Sequence, residues 1–185
     1  MSSDRIVTGK FRVSFPNVFK AHVPMSGQGD PQYDVQMLFH KEQDKKALTE
    51  LKTFALAAAK AKWGEKIPAG LTLPFNDGDS KEYASHKGHI YINAKTKFKP
   101  QVVDQNVKEI TDLEQDKFYA GCYARASLNA YAYEFMGKKG VAFGLMMLQK
   151  VAEGEPLGGS RPAPADDFAV VEGYTSDAEN FETDF

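Results

Sequence analysis

Polar and apolar residues alternate over residues 8–15. Phe11, Val13 and Phe15 fall on one side and Lys10, Arg12 and Ser14 on the other, a period of two that predicts a half-buried strand. The same alternation returns at residues 33–39, where Tyr33, Val35, Met37 and Phe39 share a face. It recurs at residues 89–96, with Ile90, Ile92 and Ala94 together, and more briefly at residues 101–103. Between the first two strands the stretch NVFKAHVPMSGQGDPQ, punctuated by Pro24, Gly27, Gly29 and Pro31, predicts a long loop over 16–32. From about Gln43 to Trp63 the period changes. Leu48, Leu51, Ala55, Ala58 and Lys62 fall at steps of three or four, which predicts one amphipathic helix that stops near Gly64.

The longest strand signal is FYAGCYARASLNAYAYEF, residues 118–135, followed by the turn MGKKG and a partner strand over 141–151. Two long strands on a short Gly-containing turn predict a hairpin. Beyond it, six of the twelve positions in GEPLGGSRPAPA, residues 154–165, are Gly or Pro, which predicts a linker. The resulting division is a body over 1–152 and a linker with an acidic tail over 153–185. One helix, several strands and a long early loop make the chain mainly β. The pattern suits a small oligonucleotide/oligosaccharide-binding (OB) barrel with an inserted helix, and a half-open sheet packed on a helix fits it nearly as well.

Charge changes this picture. Residues 1–150 carry 22 Lys+Arg against 16 Asp+Glu, whereas residues 151–185 carry Arg161 against nine acids, although the net formal charge is only −2. A basic body with an acidic appendage points toward nucleic-acid work. Cys122 is the single cysteine, which precludes an intramolecular disulfide. The N-terminal segment lacks the apolar core of a signal peptide, and no uncharged apolar run approaches membrane-helix length. The expected location is therefore the cytoplasm.

Catalytic chemistry finds little footing. There is no GxxxxGK[ST] loop. Asp77, Asp79 and Glu82 in NDGDSKE suit a solvated turn better than a metal site, and a calcium loop fails because Gly88 stands where its bidentate Glu belongs. A metal-dependent nuclease built on these three carboxylates is the rival reading, beside a protein-interaction module without nucleic acid. His86 and His89 lack the further ligands of a zinc set. No cofactor and no catalytic residue is expected.

Binding chemistry is better supplied. Along the long strand the even positions Ala120, Cys122, Ala124, Ala126, Leu128, Ala130 and Ala132 are small and apolar and face inward. The odd positions present Tyr119, Tyr123, Arg125, Ser127, Asn129, Tyr131 and Tyr133, with Gly121 a candidate bulge. Tyrosine rings stack on any base, and lysines spaced along an extended segment match a phosphate backbone. Lys95, Lys97 and Lys99 alternate in NAKTKFKP, Lys10 and Arg12 repeat the motif, and Lys138 and Lys139 crown the hairpin. With Tyr91, these residues make the candidate contact set for a single strand.

The run VAFGLMMLQKVAEGEPLGGSRPAPADDF, with GKKG just before it and PQVVD at 100–104, resembles a bacteriophage family of single-stranded DNA-binding proteins. The resemblance runs through most of residues 5–168, and EGEPLGG and ADDF are its most specific pieces. That family is similar to the T7-like phage single-stranded DNA-binding proteins in having an OB fold and an acidic tail. The resemblance implies an OB fold, sequence-tolerant binding of single strands, a role in phage DNA replication or recombination, and no enzymatic activity. It also implies that the tail recruits replication proteins. The chain ends in GYTSDAENFETDF, so Asp177, Glu179, Phe181, Glu182, Asp184 and Phe185 are the expected partner-binding residues.

Overall fold

In a computed structural model, which describes residues 4–157 and 169–170, the chain forms one sheet and one long helix. The strands are β1 (Ile6–Val7), β2 (Phe11–His22), β3 (Gln32–His40), β4 (Asn76–Asp77), β5 (His89–Thr96), β6 (Gln101–Val103), β7 (Tyr123–Phe135) and β8 (Lys138–Ala152). The helix α1 (Lys45–Trp63) lies between β3 and β4. Pairing runs β2–β3–β5–β8–β7 and returns to β2. The joins β2–β7 (Phe11↔Ala124, Arg12↔Tyr123) and β5–β8 (Ala94↔Phe143, Lys95↔Gly144) are only two residue pairs long. The sheet is therefore OB-like, without the continuous seams of a clearly closed barrel.

Alternation decides what lies inside. Phe11, Val13, Val35, Met37, Phe39, Ile92, Ala94, Leu128 and Phe143 are all buried in one cluster. Each large side chain removed from water contributes about 1.5–3 kcal/mol. Leu51, Ala55 and Ala59 bring the buried stripe of α1 onto the same core. The small residues Ala124, Ala126 and Leu128 of β7 face inward as the sequence predicts. The β7–β8 hairpin closes on a two-residue turn in which Met136 (φ 50) and Gly137 (φ 78) are both left-handed. Such turns match the natural twist of paired strands. It is shorter than the five residues expected.

Several other expectations give way. The strand expected over residues 8–15 begins only at Phe11; Thr8, Gly9 and Lys10 connect the short β1 to β2. The loop expected over 16–32 is confined to 23–31, because β2 continues to His22. Phe15 does not join Phe11 and Val13 inside; it is 51% exposed at φ 42. The register explains this. Ser14 pairs with Gln36 and Asn17 with Asp34, so Phe15 and Pro16 together oppose Val35. The extra residue is a β-bulge that reverses the face. A left-handed Phe costs on the order of 1–3 kcal/mol in backbone strain. The strand expected from residue 118 begins at Tyr123, since Asp112–Lys117 form 3-10 turns and Gly121 bends the chain at φ 113. The linker expected from 154 starts against the body: Leu157 N–H donates to the Ala120 carbonyl at 2.9 Å, and Arg12 Nη2 to the Glu155 carbonyl at 2.7 Å.

Candidate nucleic-acid interface

The outer face of the sheet is set by pairing. Lys95 lies beside Gly144, which lies beside Asn129, so these three form a row across β5, β8 and β7. The next outward pair on the hairpin is Tyr131 with Ala142. Small residues on β8 thus leave a trough between lysines on one side and a tyrosine on the other. A groove of about 650 Å³ opens here, lined by Lys95, Lys97, Phe98, Lys99, Asn129 and Tyr131, with Gln32 and Met146 among its other walls.

Two of the groove's three lysines are paired with exposed acids. Lys97 Nζ lies 3.1 Å from Asp30 Oδ2, at the end of the 23–31 loop. Lys99 Nζ donates to both Asp112 oxygens at 2.6 and 2.7 Å, which raises its pKa above the usual lysine value. Exposed pairs of this kind contribute about 0–1 kcal/mol, so a competing polyanion exchanges them readily. Phe98 is 83% exposed between the lysines. Burial pushes the Tyr131 phenol up, so it stays protonated at neutral pH. Cations on one wall and flat rings on both suit a polyanion that carries planar groups.

A second hollow of about 390 Å³ lies further along the same hairpin face, lined by Lys10, Arg125, Gln149 and Lys150. Arg125 Nε donates to Gln149 Oε1 at 2.7 Å, and Lys10 Nζ sits 5.0 Å over the Tyr123 ring. The β8 register shift opposite Ser127 and Leu128 leaves Met146 and Met147 side by side and exposed between the two hollows.

Other expected contact residues stand elsewhere. Arg12 clamps the carbonyls of Gly121 (3.3 Å) and Glu155 (2.7 Å). Tyr119 is turned off the β7 outer face by Gly121. Its hydroxyl donates to Glu153 Oε2 at 2.5 Å and accepts from Gly154 N–H at 3.1 Å. Tyr133 lies across Gly140, where a Cβ would come within 2.4 Å of its hydroxyl oxygen. Tyr91 is half-buried against His86. Lys138 and Lys139 sit at the hairpin end, Lys139 over the Trp63 ring at 5.9 Å, and that turn lines no part of the groove. Asp177, Glu179, Phe181, Glu182, Asp184 and Phe185 lie outside the described residues.

Two of the three carboxylates of the rival reading, Asp77 and Asp79, are already engaged. Lys41 Nζ donates to Asp77 Oδ1 and Asp79 Oδ2, both at 2.6 Å, and holds both acids below the usual carboxylate range. Asp79 Oδ1 accepts the Gly88 N–H at 2.8 Å. Among the described residues no group of three or more His, Cys, Asp or Glu is placed to hold a metal. His86 is buried, within hydrogen-bond distance of Gln36 Oε1 (2.5 Å) and Ser85 Oγ (3.0 Å), and its burial lowers its pKa. Cys122 is buried, and burial pushes its thiol up, away from a reactive thiolate.

Phe98, Phe15 and Tyr83 are exposed rings that the sequence reading did not assign to the interface. Phe98 carries a legible signal, an aromatic residue interleaved with lysines. Phe15 does not, because its position depends on the bulge. No helix among the described residues is long and apolar enough to cross a membrane.

An OB-like sheet carrying a basic, ring-lined groove on its outer face defines a class of small oligomer-binding domains. The comparisons narrow that class. The family model for the Enterobacter phage Enc34 ssDNA-binding protein matches residues 4–181, and the chain belongs to that family. It is 31% identical over 173 residues to protein p50 of Acyrthosiphon pisum secondary endosymbiont phage 1, covering 89% of this chain and 92% of that protein. Its fold is similar to the single-stranded DNA-binding protein from bacteriophage Enc34 solved in complex with ssDNA, with TM-score 0.74, 21% identity, and 85% and 91% of the two chains covered. It is also similar to gp2.5, the single-stranded DNA-binding protein of bacteriophage T7, with TM-score 0.57, 15% identity, and 93% and 98% covered.

Proposed function

We propose that this protein binds single-stranded DNA with little sequence preference and without catalysis, in phage DNA replication or recombination. The observation that carries the reading is the groove in which Lys95, Lys97 and Lys99 face Tyr131 across Gly144 and Ala142, with Phe98 exposed among the lysines. Phosphates exchange for Asp30 and Asp112 on the lysines, and unpaired bases stack on Phe98 and Tyr131. The hollow at Lys10 and Arg125 extends the basic track. Stacking on rings tolerates any base, which suits binding with little sequence preference. Residues 1–152 form the binding body, and residues 153–185 carry the acidic segment that competes for the groove and recruits replication proteins. Family membership and the Enc34 complex support the ligand class.

The test is a salt titration with oligo-dT. For single strands log K falls by about 0.7 per phosphate neutralised for each decade of salt. Replacing Lys95, Lys97 and Lys99 by Ala should shallow the slope by up to about two, less whatever Asp30 and Asp112 already compensate. Base preference should stay flat. A triple variant with the parental slope places the DNA elsewhere.

A further inference from the structure

The outer face has a second pair of exposed rings that the lysine groove does not use. The β2 bulge turns Phe15 outward, where its ring meets Tyr83 edge-on at 5.6 Å. Tyr83 is itself 53% exposed and sits just before a short 3-10 turn, Ala84–His86, that packs on the sheet. Both rings rest on the buried His86, with centroids 6.4 Å (Phe15) and 5.2 Å (Tyr83) away; His86 in turn meets the half-buried Tyr91, and Lys81 Nζ lies 5.6 Å over the Tyr91 ring. The base is firm and the two rings on it remain open.

Phe15 takes the left-handed conformation that a bulge of this kind normally reserves for Gly. The ring gains little burial in return for that strain. Backbone strain of this sort concentrates at functional positions.

The patch is also continuous with the groove. On β5 the residues Tyr91, Asn93 and Lys95 share the outer face, and four residues of strand span about 13 Å. Asn93 is exposed between them and accepts a hydrogen bond from Gln36 Nε2 at 3.2 Å. The His22–Asp34 ion pair (3.1 Å) flanks the path on β3, with Asp34 cross-strand from Lys95, and no ion pair among the described residues involves Asn93 or Tyr91. A strand leaving the lysines along β5 meets amides and then rings.

We propose that Phe15 and Tyr83 form a second stacking platform, which takes an unpaired nucleobase of the same strand whose phosphates lie on Lys95, Lys97 and Lys99. The assignment rests on the single-strand reading above and lengthens its footprint. The lysine along the path and the half-open rings favour a base over an apolar protein segment, which would cover a larger and less charged surface.

The test compares oligo-dT of roughly 4 and roughly 16 nucleotides, the limits for one OB domain. Phe15→Gly relieves the strained conformation, so the melting temperature should hold or rise. Its affinity for the long oligonucleotide should fall on the order of tenfold, the loss of one stacked base. Its affinity for the short one, accommodated at the lysines, should not change. A merely structural Phe15 would lower the melting temperature and leave both affinities alone. Tyr83→Ala, on a different element, should repeat the length-dependent loss and decides the matter if Phe15→Gly fails to fold. Parental affinity of both variants for the long oligonucleotide overturns the platform. Failure of the parent protein to bind either oligonucleotide overturns the single-strand reading itself.

Discussion

Two tyrosines from one stretch of sequence illustrate how differently equal residues are used. Tyr131 stands 41% exposed on the groove wall, whereas Tyr119 is held by Glu153 and Gly154 with Lys150 Nζ 5.3 Å over its ring. Tyr131→Ala should therefore cost about 1–3 kcal/mol of affinity for oligo-dT, read by fluorescence titration, with almost no change in melting temperature. Tyr119→Phe should do the reverse. It leaves the part-buried Gly154 N–H without its acceptor, at a cost of about 1–2 kcal/mol in urea unfolding, while affinity per folded molecule stays constant. If both tyrosines affect only affinity, the bend at Gly121 does not separate their roles.

At the scale of elements, that bend organises the start of the hairpin. Gly121 N–H donates to the Val13 carbonyl at 2.8 Å, and its own carbonyl accepts from Arg12. A Cβ at Gly121 would lie 2.1 Å from the Glu155 carbonyl oxygen, at a φ of 113 that side chains rarely adopt. Gly121→Ala should destabilise the fold by about 3 kcal/mol or more, measured as a lowered urea midpoint at unchanged m-value. A near-neutral result would mean that the 153–157 segment swings away at little cost. The hairpin beyond is built on a different use of small residues. Tyr133 over Gly140 and Asn129 over Gly144 cover β8 with side chains of β7, and Ala142 between them leaves the trough open.

Across the whole molecule the charge is divided, with a basic majority up to residue 150 and nine acids beyond it. A tethered polyanion acts on its own body at roughly millimolar effective concentration. Deleting residues 173–185 should therefore tighten oligo-dT binding, most at low salt where screening is weakest. Phe185→Ala removes no side-chain charge and should leave DNA affinity unchanged, while a replication partner that buries the ring should lose roughly 1.5–3 kcal/mol of affinity in a pull-down titration. Weaker DNA binding after the deletion would show that the acidic segment does not compete for the groove.

Periodicity alone determined the strand faces of β3, β5 and most of β7, the helix α1, and the hairpin, because each is a local repeat of apolar positions. It also exposed the lysine series and the tyrosine face as candidate chemistry. What it left undecided were one-residue events. The bulge at Phe15 and the bend at Gly121 each reverse a face without altering the pattern on either side. Whether Arg12 and Tyr119 clamp the chain or stand free depended on where residues 153–155 return, over a hundred positions away from Arg12. The groove itself needed β5 and β8 side by side and parallel, a pairing between segments nearly fifty residues apart. Local sequence carries the period of each strand; only the closed set of long-range pairings decides which residues from different strands stand opposite one another.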